Sequence, residues 1–280
     1  DSGMFSKRHP TITYATRGLV GLEVRVEGPS RDVHSGVFGG SIANPALALA
    51  RMLAGCVDAK GRVRVPGFYE DVRPVEPWER RAFRRLPFNE TAYARFLGVS
   101  ALEGEKGFTT LERRWARPTF EVNGIFGGYQ GDGGKTIVPG SAGAKITCRL
   151  VPMQKPGKIA RALERHLRQL APPSVRICIT QQQGAPAFFA NPHSGDSRLW
   201  NAAAEALEAA FRRPAVFVRE GGALPILDDF KRVLGTPILL LGLGLHEDNW
   251  HAPNEKMDLD HFYKGIAMSV ELLERIGREK

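Results

Sequence analysis

The chain reads as an α+β domain of the split βαβ type followed by part of an α/β domain. Three observations carry this. Periodicities between residues 19 and 180 run β-α-β-β-α-β, the order of ferredoxin-like domains. Beyond residue 187, helical stripes alternate with apolar strand-like runs, as in a mostly parallel sheet covered on both faces. And 280 residues, 42% hydrophobic and 25% charged, suit two modest cores better than one.

The first strand is "LVGLEVRVE" (19–27), apolar at Val20, Leu22, Val24 and Val26. "NPALALARMLAG" (44–55) follows as a helix, with Asn44 as N-cap, Pro45 at the first helical position and Gly55 as the stop. Two more alternating runs, "TFEVNGI" (119–125) and "AKITCRLV" (144–151), flank the glycine-rich "FGGYQGDGGKTIVPG". Pro156 then opens a helix with the stripe Ile159, Leu163, Leu167 and Leu170, and "SVRICIT" (174–180) is the last strand of this domain. Residues 60–118, rich in Arg, Pro and Gly, read as an insertion. In the remainder we expect a helix over 195–211, a short strand over 215–218, a buried strand over 237–242 and a terminal helix over 259–276. The last helix has the stripe Phe262, Ile266, Val270 and Leu273. The chain opens at Asp1, without Met and in mid-pattern, so the head of the α/β domain is expected upstream of it.

The formal charge of +9 fits several exteriors. Much of the arginine lies in 72–96 at helix-like spacing beside Glu and aromatics, which reads as a solvated helix face. No nucleic-acid motif accompanies it, and no nucleic-acid partner is expected. The longest apolar run, "PILLLGLGL" (237–245), is too short to cross a bilayer. Cys56, Cys148 and Cys178 lack paired spacing, which favours a reducing compartment. Cys148 and Cys178 lie in strand-like alternations, where a thiol behaves as a small hydrophobe.

Two histidines stand out by position. His34, in "RDVHSGVFGG" (31–40), sits among small residues that let another backbone approach closely. His251, in "LGLHEDNWHAPNEKM" (243–257), follows the apolar run and so lies at a strand's C-terminal end, where open α/β sheets place their sites. Arg149 occupies an odd position of a strand whose even positions are apolar, and points away from that apolar face.

Six blocks, "DSGMF…HPTITYATRG" (1–18), "RDVHSGVFGG", "GGKTIVP" (133–139), "ITCRLVP" (146–152), "REGGALP" (219–225) and "HAPNEK" (251–256), occur in order. Together they resemble the M20 family of zinc metallopeptidases, in its cytosolic nonspecific dipeptidase and carnosinase-like branch. The resemblance implies three regions: 1–17 as the end of an N-terminal catalytic segment, 18–185 as a dimerisation or lid domain with the 60–118 insertion, and 186–280 as the C-terminal part of an α/β zinc-peptidase catalytic domain. It implies hydrolysis of dipeptides by a water activated between two zinc ions, manganese or cobalt being alternatives, in a cytoplasmic homodimer joined through the lid.

On the same basis Asp1 and His251 are metal ligands. The other ligands and the general-base glutamate belong upstream of Asp1, so the chain by itself is expected to be an incomplete, inactive portion. His34 is implied to reach the partner's site and stabilise the oxyanion. Arg149 would pair with the substrate carboxylate, Asn123 and Thr136 would hydrogen-bond substrate, and Gly221 and Gly222 would line the pocket with backbone groups. Family dipeptidases often carry serine after those glycines, whereas this chain has Ala223, which puts one substrate hydrogen bond in question. An N-acyl-amino-acid amidohydrolase and a non-catalytic dimerisation module are the competing readings.

Overall fold

The computed structural model describes residues 2–193 and 197–278. In chain order the elements run β1 (Thr11–Thr16), β2 (Gly18–Glu27), β3 (Val33–His34), α1 (Ser35–Phe38), α2 (Pro45–Gly55), α3 (Pro77–Arg85), α4 (Glu90–Leu97), α5 (Thr110–Ala116) and β4 (Thr119–Gly127). There follow β5 (Ile137–Val138), β6 (Ser141–Leu150), α6 (Pro156–Leu170), β7 (Arg176–Ala185), α7 (Arg198–Phe211), β8 (Val216–Glu220), α8 (Ile226–Leu234) and α9 (Leu259–Arg278). These form two compact units. The first comprises residues up to Arg17, Pro74–Asn89 and the chain from Phe188; the second comprises Gly18–Arg73 and Glu90–Ala187.

The second unit is a four-stranded antiparallel sheet in the order β4-β6-β2-β7, with α2 and α6 packed against it. This is the split βαβ arrangement read from the sequence. Alternation dictates which face is covered. Val20, Leu22, Val24 and Val26 of β2, with Ala144, Ile146 and Cys148 of β6, are buried beneath Leu49 and Met52 of α2 and Ile159, Leu163 and Leu167 of α6. The ends of α2 follow the sequence logic as well: the Asn44 carboxamide oxygen accepts from the Ala46 and Leu47 N–H groups at 2.9 and 3.2 Å, and Pro45 occupies the first turn. A side-chain cap of this kind contributes about 1 kcal/mol.

One thiol departs from expectation. Cys148 is buried, but Cys178, opposite Arg25 in the ladder, is exposed on the uncovered side of the sheet. In β7 it is Ile177 and Ile179 that pack towards the helices, so residue 178 points the other way. Burial pushes the Cys56 thiol up to about 11 and raises that of Cys148 further.

In the first unit β1 and β8 pair in parallel, and Ile12 and Tyr14 join Trp200, Ala203, Leu207, Phe211 and Met268 in one apolar cluster. Two expectations are corrected here. Residues 237–242 form no regular strand: the segment makes a single bridge, Thr13 to Leu240, with the Thr13 N–H donating to the Leu240 carbonyl at 3.0 Å. An extended apolar run becomes a strand only where its backbone groups meet a ladder, and one bridge does not make one. The terminal helix forms as read, but its Phe262, Ile266, Val270 and Leu273 stripe is exposed. The covered side carries His261, Gly265 and Met268 instead, with Gly265 against the Leu243 side chain.

The stretch read as an insertion is divided. Its residues 74–89 belong to the first unit, where α3 places Glu79 in the core. Glu79, Arg219 of β8 and Tyr14 of β1 are all fully buried. The Arg219 guanidinium donates to Glu79 Oε1 through Nε (2.9 Å) and Nη2, and the Tyr14 hydroxyl donates to the same oxygen at 2.8 Å. Glu79 Oε2 turns back and accepts from the Glu76 N–H at 2.9 Å, closing the capping box of α3. Burial raises the Tyr14 phenol far above its ordinary range, against the nearby guanidinium. The arginines of α3, Arg80, Arg81, Arg84 and Arg85, are exposed, as expected of a solvated face.

Removing Glu79 leaves a buried cation uncompensated, so Glu79→Ala should destabilise the first unit by about 3–5 kcal/mol, read as a lowered urea midpoint. In the native chain at neutral pH, iodoacetamide should modify Cys178 and spare Cys56 and Cys148, with all three reacting after unfolding; mass spectrometry of tryptic peptides checks this.

Candidate functional site

The residues singled out in the sequence fall into two groups, one in each unit. In the second unit, β3 and β5 pair antiparallel, with Val33 opposite Val138 and His34 opposite Ile137. The Ser35 N–H donates to the Thr136 carbonyl at 2.9 Å, and Asp32 Oδ1 accepts from the Gly140 N–H at 2.9 Å. Two distant blocks, "RDVHSG" and "GGKTIVP", are thereby joined, and His34 and Thr136 become neighbours on an exposed corner. The His34 Nδ1 accepts from the Gly36 N–H at 3.0 Å. That bond assigns the proton of the neutral ring to Nε2, so the imidazole presents a donor outward.

Arg149 lies on the uncovered face of the sheet, opposite Leu19 on one side and Thr119 on the other. It is half-buried and has no ion pair with any described residue. A guanidinium in that state can take a carboxylate through paired N–H donors. Asn123 is exposed and falls where β4 shifts register against β6, between Val122 and Gly124. The bulge re-aims its side chain relative to the alternation of the strand.

In the first unit, Gly221 and Gly222 form the turn after β8. The Glu220 carboxylate accepts from the Gly221 N–H at 2.6 Å. Arg17 fastens the turn from the other side: its N–H donates to the Glu220 and Gly222 carbonyls and its Nε to the Gly221 carbonyl at 2.9 Å. Neither Arg17 nor Glu220 was singled out from sequence, because bonds across 204 residues leave no local signature.

His251 lines a cleft of about 420 Å³ together with Ser2, Leu241–Gly244, Asp248, Trp250, Glu255, Lys256 and Met257. Asp1 lies outside the described residues; Ser2, which follows it, is on the cleft wall. His251 is exposed, and its backbone is left-handed at φ 59°. Asp248 holds the loop beneath it. That carboxylate, 1% exposed, accepts from the Leu245 N–H at 2.7 Å and from Lys256 Nζ at 2.8 Å. Burial works against its ionised form, but the Lys256 ammonium and the Leu245 N–H outweigh it and hold the carboxyl below its ordinary value.

Among the described residues this cleft is lined by one imidazole and the carboxylates of Asp248 and Glu255, but Asp248 is held by Lys256 at 2.8 Å and the three do not converge into a ligand cluster. The described donors therefore do not make a metal centre by themselves. Asp258, Asp260 and His261 do converge within 4.8 Å, but they sit at the N-terminus of α9. There Asp258 accepts from the Asp260 N–H and is bridged by Lys7 at 3.1 Å, and the positive end of a helix disfavours a cation.

The described residues thus offer a corner with a histidine whose Nδ1 is held and a sheet face with an arginine that has no ion pair among them and, in the first unit, a cleft with a second histidine. The peptidase dimerisation-domain model of the M20 family matches residues 14–175, and the chain belongs to that family. It is 30% identical over 275 residues to the Cys-Gly metallodipeptidase dug1 of Schizosaccharomyces pombe, an alignment covering 96% of this chain and 56% of that protein. It is 28% identical over 271 residues to the human Beta-Ala-His dipeptidase, covering 96% and 53%. Among solved structures it resembles the di-peptidase Dug1p of Saccharomyces cerevisiae (TM-score 0.82, 28% identity, 98% of this chain and 57% of that one). It also resembles the M20 metallo-carboxypeptidase Sso-CP2 of Sulfolobus solfataricus (TM-score 0.86, 28% identity, 97% and 61%). The chain thus spans somewhat more than half the length of these relatives. No described helix is long and apolar enough to cross a membrane.

Because the folded Asp248 carboxyl titrates below its ordinary value of 3.8, its stabilisation is complete above that value and is lost as pH falls through the lower, folded one. The protection factor of the Leu245 amide should fall across that acid window in the native chain. In Asp248→Asn it should be low throughout and lack that step.

Proposed function

We propose that the whole protein of which this chain is part is a metal-dependent dipeptidase of the M20 type, and that this chain contributes its substrate-binding lid. The observation that carries the reading is the β3–β5 ladder, which brings the His34 and Thr136 blocks to one corner and leaves Nε2–H of His34 facing outward. In this reading His34 donates to the oxyanion formed when water attacks the peptide carbonyl. Thr136 and Asn123 hydrogen-bond the substrate, and Arg149 binds its C-terminal carboxylate bidentately. Gly221 and Gly222 are proposed to line the pocket with backbone groups. The relative dug1 is named a metallodipeptidase and Sso-CP2 a metallo-carboxypeptidase, which supports metal dependence. Two zinc ions, or manganese or cobalt in their place, are the proposed metals, with Asp1 and His251 as this chain's ligands and the rest supplied from outside the described residues.

The site is proposed to be completed across a homodimer formed through the lid, with a dipeptide as substrate. A cytoplasmic location is proposed from the three unpaired cysteines.

The test is a substrate panel on the whole protein with each metal, dipeptides against N-acyl amino acids. Dipeptide hydrolysis is expected, with His34→Ala lowering kcat about a hundredfold and Arg149→Lys raising KM more than it lowers kcat. Preference for N-acyl amino acids would make the protein an amidohydrolase, and a stable dimer without hydrolysis would make it a dimerisation module. Near-normal turnover of the His34→Ala variant sinks the role given to the corner.

A further inference from the structure

We infer that Trp250 is a positioning residue: its indole is a wedge that locks the segment Ser2–Met4 against Leu243–Gly244 and thereby sets the backbone that presents His251 to the cleft. Between Asn249 and Asn254 three non-glycine residues, Asn249, His251 and Asn254, hold φ of 57°, 59° and 61°. Asparagine tolerates a left-handed backbone better than most L-residues, but the histidine between the two carries a cost of roughly 1–2 kcal/mol that its surroundings must offset.

Two anchors do so. One is the Asp248 carboxylate, which gathers Leu245 and Lys256, while the Lys256 N–H donates back to the Asp248 carbonyl at 3.0 Å. The other is Trp250. A Cβ built on Gly244 would meet only the indole among its nearest atoms, at 2.7, 2.9 and 3.0 Å, and one built on Gly3 would lie 2.5 Å from Cη2. The ring therefore lies flush on both glycines. Directly beneath it Gly3 and Gly244 bridge in parallel, and the Met4 N–H donates to the Gly244 carbonyl at 2.8 Å. Any side chain larger than hydrogen at either position evicts the indole.

The wedge explains why a tryptophan that is 39% exposed stands immediately before a site histidine. Its backbone neighbour is His251, and the extended segment it clamps begins one residue after Asp1. Ser2 and His251 are both on the wall of the same cleft. One side chain thus sets the mutual position of the two segments that bear the proposed ligands. The geometric part stands alone; its importance for catalysis rests on the proposed function.

The experiment uses the 280-residue chain without metal or substrate. Amide exchange of Met4 and the His251 Cε1–H resonance are compared in wild type, Gly244→Ala, Trp250→Ala and Trp250→Phe, and the Trp250 emission, isolated by subtracting the same protein carrying Trp250→Phe, is compared in wild type and Gly244→Ala. Gly244→Ala and Trp250→Ala should each speed Met4 exchange at least tenfold and shift the His251 resonance. Gly244→Ala should also move the Trp250 emission to the red. Trp250→Phe, which keeps a flat ring on the two glycines, should restore Met4 exchange to within about threefold of wild type. The urea midpoint is read in every variant. If Met4 exchange rises only in step with a lowered midpoint, or is unchanged in Gly244→Ala, the wedge is overturned. Failure of the whole protein to hydrolyse dipeptides strikes the functional reading instead, since none of these signals depends on it.

Discussion

The first unit depends on a buried charge. Arg219 sits near the end of β8 with no exposed surface, and such a guanidinium persists only if its charge is balanced, although its Nη1 finds no hydrogen-bond partner among the described residues. The carboxylate that balances it does not come from β1, the strand paired with β8. It is Glu79, carried on α3 from a segment flanked on both sides by residues of the second unit. The chain must leave the second unit, deliver one carboxylate and return. Much about the segment 74–89 follows from that requirement: Pro77 in the first turn, Glu79 both as cap and as counter-ion, and Phe83 one turn on, facing the same interior. Beyond Arg219 the strand ends in the Gly221–Gly222 turn, which Arg17 and the Glu220 carboxylate fasten.

The second unit rests on a different constraint, the period of two along its strands. Covering one face with α2 and α6 leaves the other face to carry whatever the chain does not need for packing. Arg149 is there, beside Thr147 and across from Thr119, and so is Cys178. An arginine on such a face is ordinarily solvated. This one is half-buried and unpaired among the described residues, which leaves its N–H fork free for a planar anion.

Legibility in the sequence followed the range of the interactions. Asn44, Pro45 and the Ile159, Leu163 and Leu167 stripe are local statements, and the structure places each of them as read. The six family blocks carried the site candidates for a similar reason, since each is a short contiguous motif. What was not legible is long-range. No pattern links Glu79 to Arg219 across 140 residues, or Arg17 to Gly221 across 204. The 237–242 run failed differently: its apolar residues are real, but strand identity belongs to the ladder and not to the segment. For α9 the apolar pattern circles the helix, and periodicity alone could not choose between the Phe262 face and the Met268 face. The covered face is the one whose Met268 joins the apolar cluster of the first unit.

His34 shows how little structure a positioned donor requires. β3 and β5 contribute two residues each, and α1 is a single turn. Yet the ring is fixed twice, once through its backbone by the ladder with Ile137, and once through Nδ1 by the Gly36 N–H. The second bond is the one with chemical consequence. A histidine free to choose its tautomer offers Nε2 as a donor only part of the time, whereas one whose Nδ1 is held as an acceptor presents Nε2–H whenever it is neutral. The small residues around it leave the corner open, so the fixed donor and the space in front of it come from the same short stretch of sequence.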